Sequence, residues 1–347
     1  MQVRSDESFM SSDVILNVVL PIFLFVVAGY LFRIVGKFDR SESGNLIGYA
    51  MKVAIPCMII VALANEPVAD YVPYVKFFFT FLVITTIIFL AALACAKVFR
   101  MPWLEGSYFA ATCSLSNTCM IALPILVMLL GRPGAVYGIL GVVNLIIGLQ
   151  VMSFIYDFHH GAADQSLTRN VLKSIWSAAR QPYFVAMVIG VVISITGWEL
   201  PGTIDTTLTL FGATVAPVAL FAVGIDLDFS VFKKHLIPVL GATIFKLILM
   251  PILAWFGCQW IGLDPTATVA VVLCSSVAAA KCQYGVAKQK HVYVEPTAAI
   301  VASTTILSIV TLAIVIIQLN EMHPEVFQME KMFHHFHHGH HATGAGG

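Results

Sequence analysis

Long apolar runs, rather than alternation, dominate the chain. Ten stretches are predominantly apolar, at about 14–35, 43–64, 71–96, 106–130, 134–156, 182–198, 205–225, 236–258, 266–287 and 296–318. Roughly 20 such residues are what a helix needs to cross a bilayer, so each is expected to be a membrane span. None shows the two-residue period of a β-barrel strand, and the runs are too long for one. The first run follows an acidic start, exceeds a signal h-region in length and lacks a small-residue cleavage site, so it reads as a retained helix. The longest connection, Asp157 to Gln181, divides the ten runs into five and five. The expected organisation is a five-helix unit over 1–156, a cytoplasmic linker over 157–181, a second unit over 182–318 and a His-rich tail over 319–347.

Composition narrows the class. Of 347 residues, 59% are hydrophobic and 11% charged, against about 25% charged in soluble domains. That is too little charge for a water-facing surface, which excludes a soluble enzyme, and too much apolar content for a disordered chain. The formal net charge is zero, so no basic field invites nucleic acid. Loops after odd-numbered runs hold twelve Lys and Arg, the opposite loops four. The positive-inside rule then puts the odd loops in the cytoplasm and both termini outside, in the inner membrane of a Gram-negative host. Seven cysteines all fall in apolar runs with no CxxC pair, so they read as packing residues rather than disulfides or metal ligands.

Sliding the chain by 161 residues aligns its halves. LPIFLFVVAGY (20–30) meets QPYFVAMVIGV (181–191), matching Pro21 with Pro182 and Gly29 with Gly190. VAIPCMIIVALA (53–64) meets TVAPVALFAVGI (214–225), matching Pro56 with Pro217. ATCSLSN (111–117) meets VLCSSVA (272–278), matching Cys113 with Cys274. Five spans per half is odd, so the second copy would lie inverted in the membrane. Inverted repeats characterise secondary transporters, which hold substrate near the midplane at the repeat interface. The expected fold is therefore an all-α membrane protein of ten transmembrane helices in two inverted repeats.

Chemistry concentrates in the fourth and ninth runs. The fourth places Ser114, Ser116, Asn117 and Thr118 ahead of Pro124. Pro124 lacks an N–H and frees a carbonyl near Met120, and a loosened backbone at membrane depth needs buried partners or a wet cavity. A discontinuous helix here would aim N-terminal N–H groups at an anion; an ordinary kink is the competing reading. The ninth run holds Ser275, Ser276, Lys281, Gln283 and Tyr284. A lysine at mid-bilayer depth costs at least about 2.5–3.5 kcal/mol. Mid-span carboxylates are almost absent, with Asp226 and Asp228 at the end of the seventh run the nearest candidates, so Lys281 is expected to take its counter-charge from the substrate; an internal ion pair is the competing reading.

Other polar groups read as structural. Lys52 can snorkel in part, and the stem of Lys246 can reach a carbonyl freed by Pro251. Asn45, Asn144 and Gln150 are expected to hydrogen-bond between helices. Asp226 and Asp228, at the cytoplasmic end of the seventh run, are candidate coupling sites for H+ or Na+, though a boundary charge beside Lys233 and Lys234 is the simpler reading. No cofactor and no specific metal site is expected. HHFHHGHH (334–341) would give only loose metal affinity.

Pro56, SNT-x5-P (116–124), APVALFAVGIDL (216–227), KLILMP (246–251) and VAKQKHVYVEP (286–296) together resemble the auxin efflux carrier family over about residues 14–318. That family includes bacterial malonate and malate carriers and, more distantly, plant PIN auxin transporters. The resemblance implies a five-plus-five inverted fold with helices four and nine broken and crossing at the substrate site. Carried onto this chain, the breaks fall on Asn117 to Pro124 and on about Ser275 to Gly285. The proline usual in the ninth helix is missing, with Ala278–Ala280 in its place, so the second break is expected to be a looser unwinding helped by Gly285. The expected function is a secondary transporter of a small mono- or dicarboxylate; an anion channel or transporter-like sensor is the alternative. The expected partners are the anion and the lipid bilayer, with a homodimer open. An intramembrane enzyme would need a nucleophile–base pair or metal ligands within spans, and no His lies mid-membrane. A retinal protein is disfavoured by ten spans and by the expected lack of a carboxylate beside Lys281.

Overall fold

The computed structural model of the protein describes residues 20–64, 71–159, 176, 180–227 and 235–327. Within them the chain is all-helical, with no strand beyond one isolated bridge. The helices are α1 (Leu20–Ile34), α2 (Ser41–Ala64), α3 (Val72–Val98), α4 (Trp103–Ser114), α5 (Thr118–His159), α6 (Pro182–Thr196), α7 (Gly202–Asp226), α8 (Leu236–Ile261), α9 (Pro265–Ser276), α10 (Lys281–Lys290) and α11 (Val294–Met322). Six of these, α2, α3, α5, α7, α8 and α11, are long and apolar enough to cross a membrane. Residues 328–347 of the His-rich tail, Asp228, most of the 157–181 linker, and Lys233 and Lys234 lie outside the described residues.

The lipid-facing character of the helices shows in what they expose. On α3, Phe79, Val83, Ile87 and Leu90 form an exposed apolar stripe at helical spacing, while Phe77, Phe81, Ile84 and Ile88 are buried. A helix apolar on every face belongs in lipid or in a deep core. The buried faces of α3, the first limb of α5, α9 and α11 share one core, with Ile125, Val271 and Ile316 among its members. A second core joins α2, α5 and α6 around Ile59, Leu123 and Ala186.

Prolines set the local irregularities. Widened π-turns at Ala50–Ala54, Thr118–Ala122 and Ile244–Leu249 each sit one or two residues before a proline, Pro56, Pro124 and Pro251. A proline inside a helix removes one hydrogen bond and pushes its ring at the carbonyl four residues back. A wider turn relieves both at the cost of a bulge. In α5 the chain reverses at Gly131 (φ 63°, ψ −132°), a conformation open chiefly to glycine. The second limb then returns alongside the first. A Cβ at Gly134, Gly138 or Gly148 would collide with Leu126, Leu123 or Leu115 respectively. This glycine series lets the returning limb lie against the backbone where α4 stops and α5 starts.

Candidate functional site

Two helix interruptions meet. Helix α4 stops at Ser114, Leu115 is extended (φ −76°, ψ 119°), and α5 starts at Thr118. Helix α9 stops at Ser276, the chain is extended at Val277 (φ −77°, ψ 162°) and Ala280 (φ −65°, ψ 123°), and α10 starts at Lys281. The two extended segments pair as an antiparallel bridge between Ser116 and Ala279. Asn117 N–H donates to the Ala278 carbonyl at 2.9 Å, and Ala280 N–H donates to the Leu115 carbonyl at 2.9 Å. Ala279 N–H donates to Thr304 Oγ1 on α11 at 3.2 Å. Buried backbone groups must find partners, and here each break supplies them to the other.

This geometry shifts the first break from where the sequence put it and narrows the second within its expected range. The first opens at 115–117, ahead of Thr118, and Pro124 lies buried inside the restarted helix. The proline produces the π-turn rather than the break. The second is a short extended segment at 277–280, and Gly285 is an ordinary residue of α10 with nothing close to its Cβ position. It needs neither proline nor glycine because the partner segment and Thr304 take up its donors.

The predicted site residues divide by environment. Ser114 Oγ donates to the Ala111 carbonyl at 3.3 Å and Ser276 Oγ to the Val272 carbonyl at 2.6 Å, so both hydroxyls are spent on their own helices. Thr118 Oγ1 donates to the Gly141 carbonyl at 3.1 Å, pinning the start of α5 to its returning limb. Asn117 is buried beside the bridge. Ser275 Oγ and both amide atoms of Gln283 are buried and have no hydrogen-bond partner among the described residues. The amide nitrogen of Asn144, expected to bond between helices, also has none.

Lys281 is the main correction. It does not lack a protein counter-ion: its Nζ pairs with Asp226 at the end of α7. The pair is part-buried, with side-chain exposures of 36% for Lys281 and 25% for Asp226. Beside it, Arg33 Nη1 of α1 donates to the Ile225 carbonyl at 2.9 Å and to the Leu227 carbonyl. A cation there complements the negative end of α7. The two partners lie 55 residues apart in sequence, and hydropathy carries no record of which helix ends converge.

Lys246 has a different partner from the one expected. It is completely buried in the π-turn of α8 and donates to Ser116 Oγ, with Met250 Sδ at 3.0 Å. The expected carbonyl partner is not used. The available signal was a lysine in an apolar run with no carboxylate within a few turns, but nothing in the sequence aimed it at Ser116.

The arrangement is electrostatically specific. The N-termini of α5 and α10 and the C-termini of α4 and α9 converge on one bridge, and helix ends carry partial charges of about half an electron. Two positive ends can hold an anion. Among the described residues no group of three or more His, Cys, Asp and Glu could hold a metal ion. A family model described as "Membrane transport protein" matches residues 14–316. The chain belongs to this membrane transport family. That family is the auxin efflux carrier family, as the sequence resemblance implied. Relatives in it include the "Uncharacterized transporter YfdV" of Escherichia coli (strain K12), 21% identical over 236 residues, covering 67% of this chain and 74% of the relative. The proteins of that name in Escherichia coli O157:H7 and Shigella flexneri match to the same extent. The protein is therefore a multi-pass membrane protein of a transport family, in contact with the bilayer.

Proposed function

We propose that this protein is a secondary carrier of a small organic anion, a mono- or dicarboxylate of the malonate or malate kind, working by alternating access. One observation carries the reading. Two interrupted helices meet through reciprocal main-chain bonds, so that the N-termini of α5 and α10 start at one buried point. Such discontinuous helices, with half-helix N-termini turned toward anionic groups, are how carriers build midplane sites. The proposed substrate site comprises Ser114, Ser116, Asn117, Thr118 and Pro124 from the first break and Ser275, Ser276, Lys281 and Gln283 from the second. Asp226 is the proposed coupling group: protonation, or a sodium ion on its carboxylate, would release Lys281.

The fold proposed for this activity is two inverted five-helix repeats, 1–156 and 182–318, in the inner membrane with both termini outside. The glycines matched by the repeat support it. A Cβ at Gly29 would collide with the Phe221 carbonyl of the other half, and a Cβ at Gly190 would lie 2.8 Å from Leu63 Cβ. Equivalent positions thus make equivalent close approaches to the opposite half. The test is reconstitution in liposomes. Saturable counterflow of labelled malonate or malate supports a carrier, single-channel currents point to a channel, and neither would leave a sensor.

A further inference from the structure

We propose that Lys246 is a further member of this site, receiving a substrate carboxylate at the crossing while Lys281 stays paired with Asp226 until the coupling group releases it. The inference deepens the anion-carrier reading and rests on it. Two lysines flank the meeting point of the breaks, and their charges are handled differently. Lys281 is one-third exposed and matched by Asp226. Lys246 is 0% exposed, and its partners among the described residues are the Ser116 hydroxyl and the Met250 thioether. An ammonium has three donors, and a thioether is a weak acceptor. A buried cation held by neutral groups alone is costly unless a counter-charge arrives.

A second, independent observation concerns the ends of α9 and α10, which form the second break. Ser275 Oγ, in the last turn of α9, and both amide atoms of Gln283, in the first turn of α10, are fully buried without partners among the described residues. Buried polar groups are normally hydrogen-bonded. Open donors and a buried lysine with only neutral described partners, near one bridge, suit a carboxylate, whose arrival would favour the ammonium form: one charge-assisted contact and neutral hydrogen bonds to its other oxygens. Ser116 then acts as the placeholder that occupies Lys246 until the crossing opens to the anion.

The competing role for Lys246 is purely structural, offsetting the negative C-termini of α4 and α9. The two roles predict opposite signs for the unliganded protein. If the charge awaits a ligand, it burdens the empty state, and Lys246→Met should leave the unfolding temperature unchanged or raise it. If the charge serves the helix ends, the same variant should lower it. The experiment follows thermal unfolding of purified wild type, Lys246→Met and Lys246→Arg, with malonate and with malonamide, its uncharged counterpart. The expected result is stabilisation of wild type by malonate but not malonamide. Lys246→Met should bind malonate roughly 30-fold or more weakly, while Lys246→Arg retains the response. A Lys246→Met protein that keeps its malonate response, or that fails to fold without ligand, overturns the inference while leaving the carrier reading intact. A wild type indifferent to malonate and malate overturns the carrier reading itself, and this inference with it.

Discussion

The two helix breaks are built from opposite materials. The first is polar, with Ser114, Ser116, Asn117 and Thr118 around it and a proline seven residues into the restarted helix. The second runs through Val277, Ala278, Ala279 and Ala280, good helix formers among them, and restarts on a lysine. Alanine is the residue least inclined to leave a helix. The second break therefore cannot be explained by its own residues. It exists because its extended backbone finds two partners in the first break and a third in Thr304. A helix in lipid can be interrupted wherever something else takes up its hydrogen bonds, and here that something is mostly the other interruption.

The comparison breaks first if the two segments are forced apart. A Cβ at Gly141 would sit 3.2 Å from Thr118 Cγ2 and 3.3 Å from Cys274 Sγ, between the start of α5 and the end of α9. Gly141→Val adds two further methyls to that gap. It should cost about 3 kcal/mol, the upper end for overpacking, seen in thermal unfolding, and abolish malonate counterflow. A variant within about 0.5 kcal/mol of wild type would mean the breaks tolerate separation.

The restarted helices differ in their first residue, Thr118 against Lys281, and that difference can be sharpened by charge. Asp226→Asn strands the Lys281 cation, and Lys281→Gln strands the Asp226 carboxylate. Breaking a fully buried pair costs about 3–5 kcal/mol; for a pair this exposed, solvent screening lowers the expectation to about 1–2 kcal/mol each. The double variant should recover part of the loss. A double-mutant cycle reads the coupling directly, and simple additivity would show that the ion pair stabilises nothing.

The third prediction concerns the hydroxyl that only the second break needs. Thr304→Val keeps the shape of the side chain but leaves the buried Ala279 N–H without its acceptor. The expected cost is about 1–2 kcal/mol, with hydrogen exchange accelerated at Ala279 and Ala280. Thr118→Val removes a donor from the Gly141 carbonyl instead. Carbonyls tolerate a missing partner better than amides do, so its cost should be about 1 kcal/mol or less.

Much of this was legible in the sequence, and the remainder was not for identifiable reasons. Membrane embedding follows from how few charges the chain carries. A disturbed fourth run follows from a polar cluster before Pro124, because local chemistry disturbs local backbone. The second break was placed only loosely, since three alanines give no local signal and the cause lies on another helix. Both lysine partnerships were misread for the same reason. Ser116 is 130 residues from Lys246 and Asp226 is 55 from Lys281, and an apolar run gives no rotational information when every face is apolar. The offset of 161 on which the proposed repeat rests also slips slightly at the site. Helix ends Ser114 and Ser276, and restarts Thr118 and Lys281, are each a little further apart than that.

The smallest effect is expected at the proline to which the sequence tied the first break. If Pro124 made the first break, Pro124→Ala would let α4 and α5 fuse and would cost the protein its site. The structure puts the break at 115–117, with a π-turn at Thr118–Ala122 between it and the proline. Alanine at 124 restores one N–H, which can bond the Met120 carbonyl and tighten that turn, a local gain of a few tenths of a kcal/mol. Against it stands the small loss of a buried ring from the packed first limb. The two nearly cancel, so stability should change by less than about 1 kcal/mol and malonate binding by less than threefold. Because the reciprocal bonds of Leu115 and Asn117 are untouched, hydrogen exchange at Asn117 and Ala280 should stay as slow as in wild type. Loss of that protection would mean the proline, and not the partner segment, holds the first helix open, and the two breaks would then differ in cause as well as in composition.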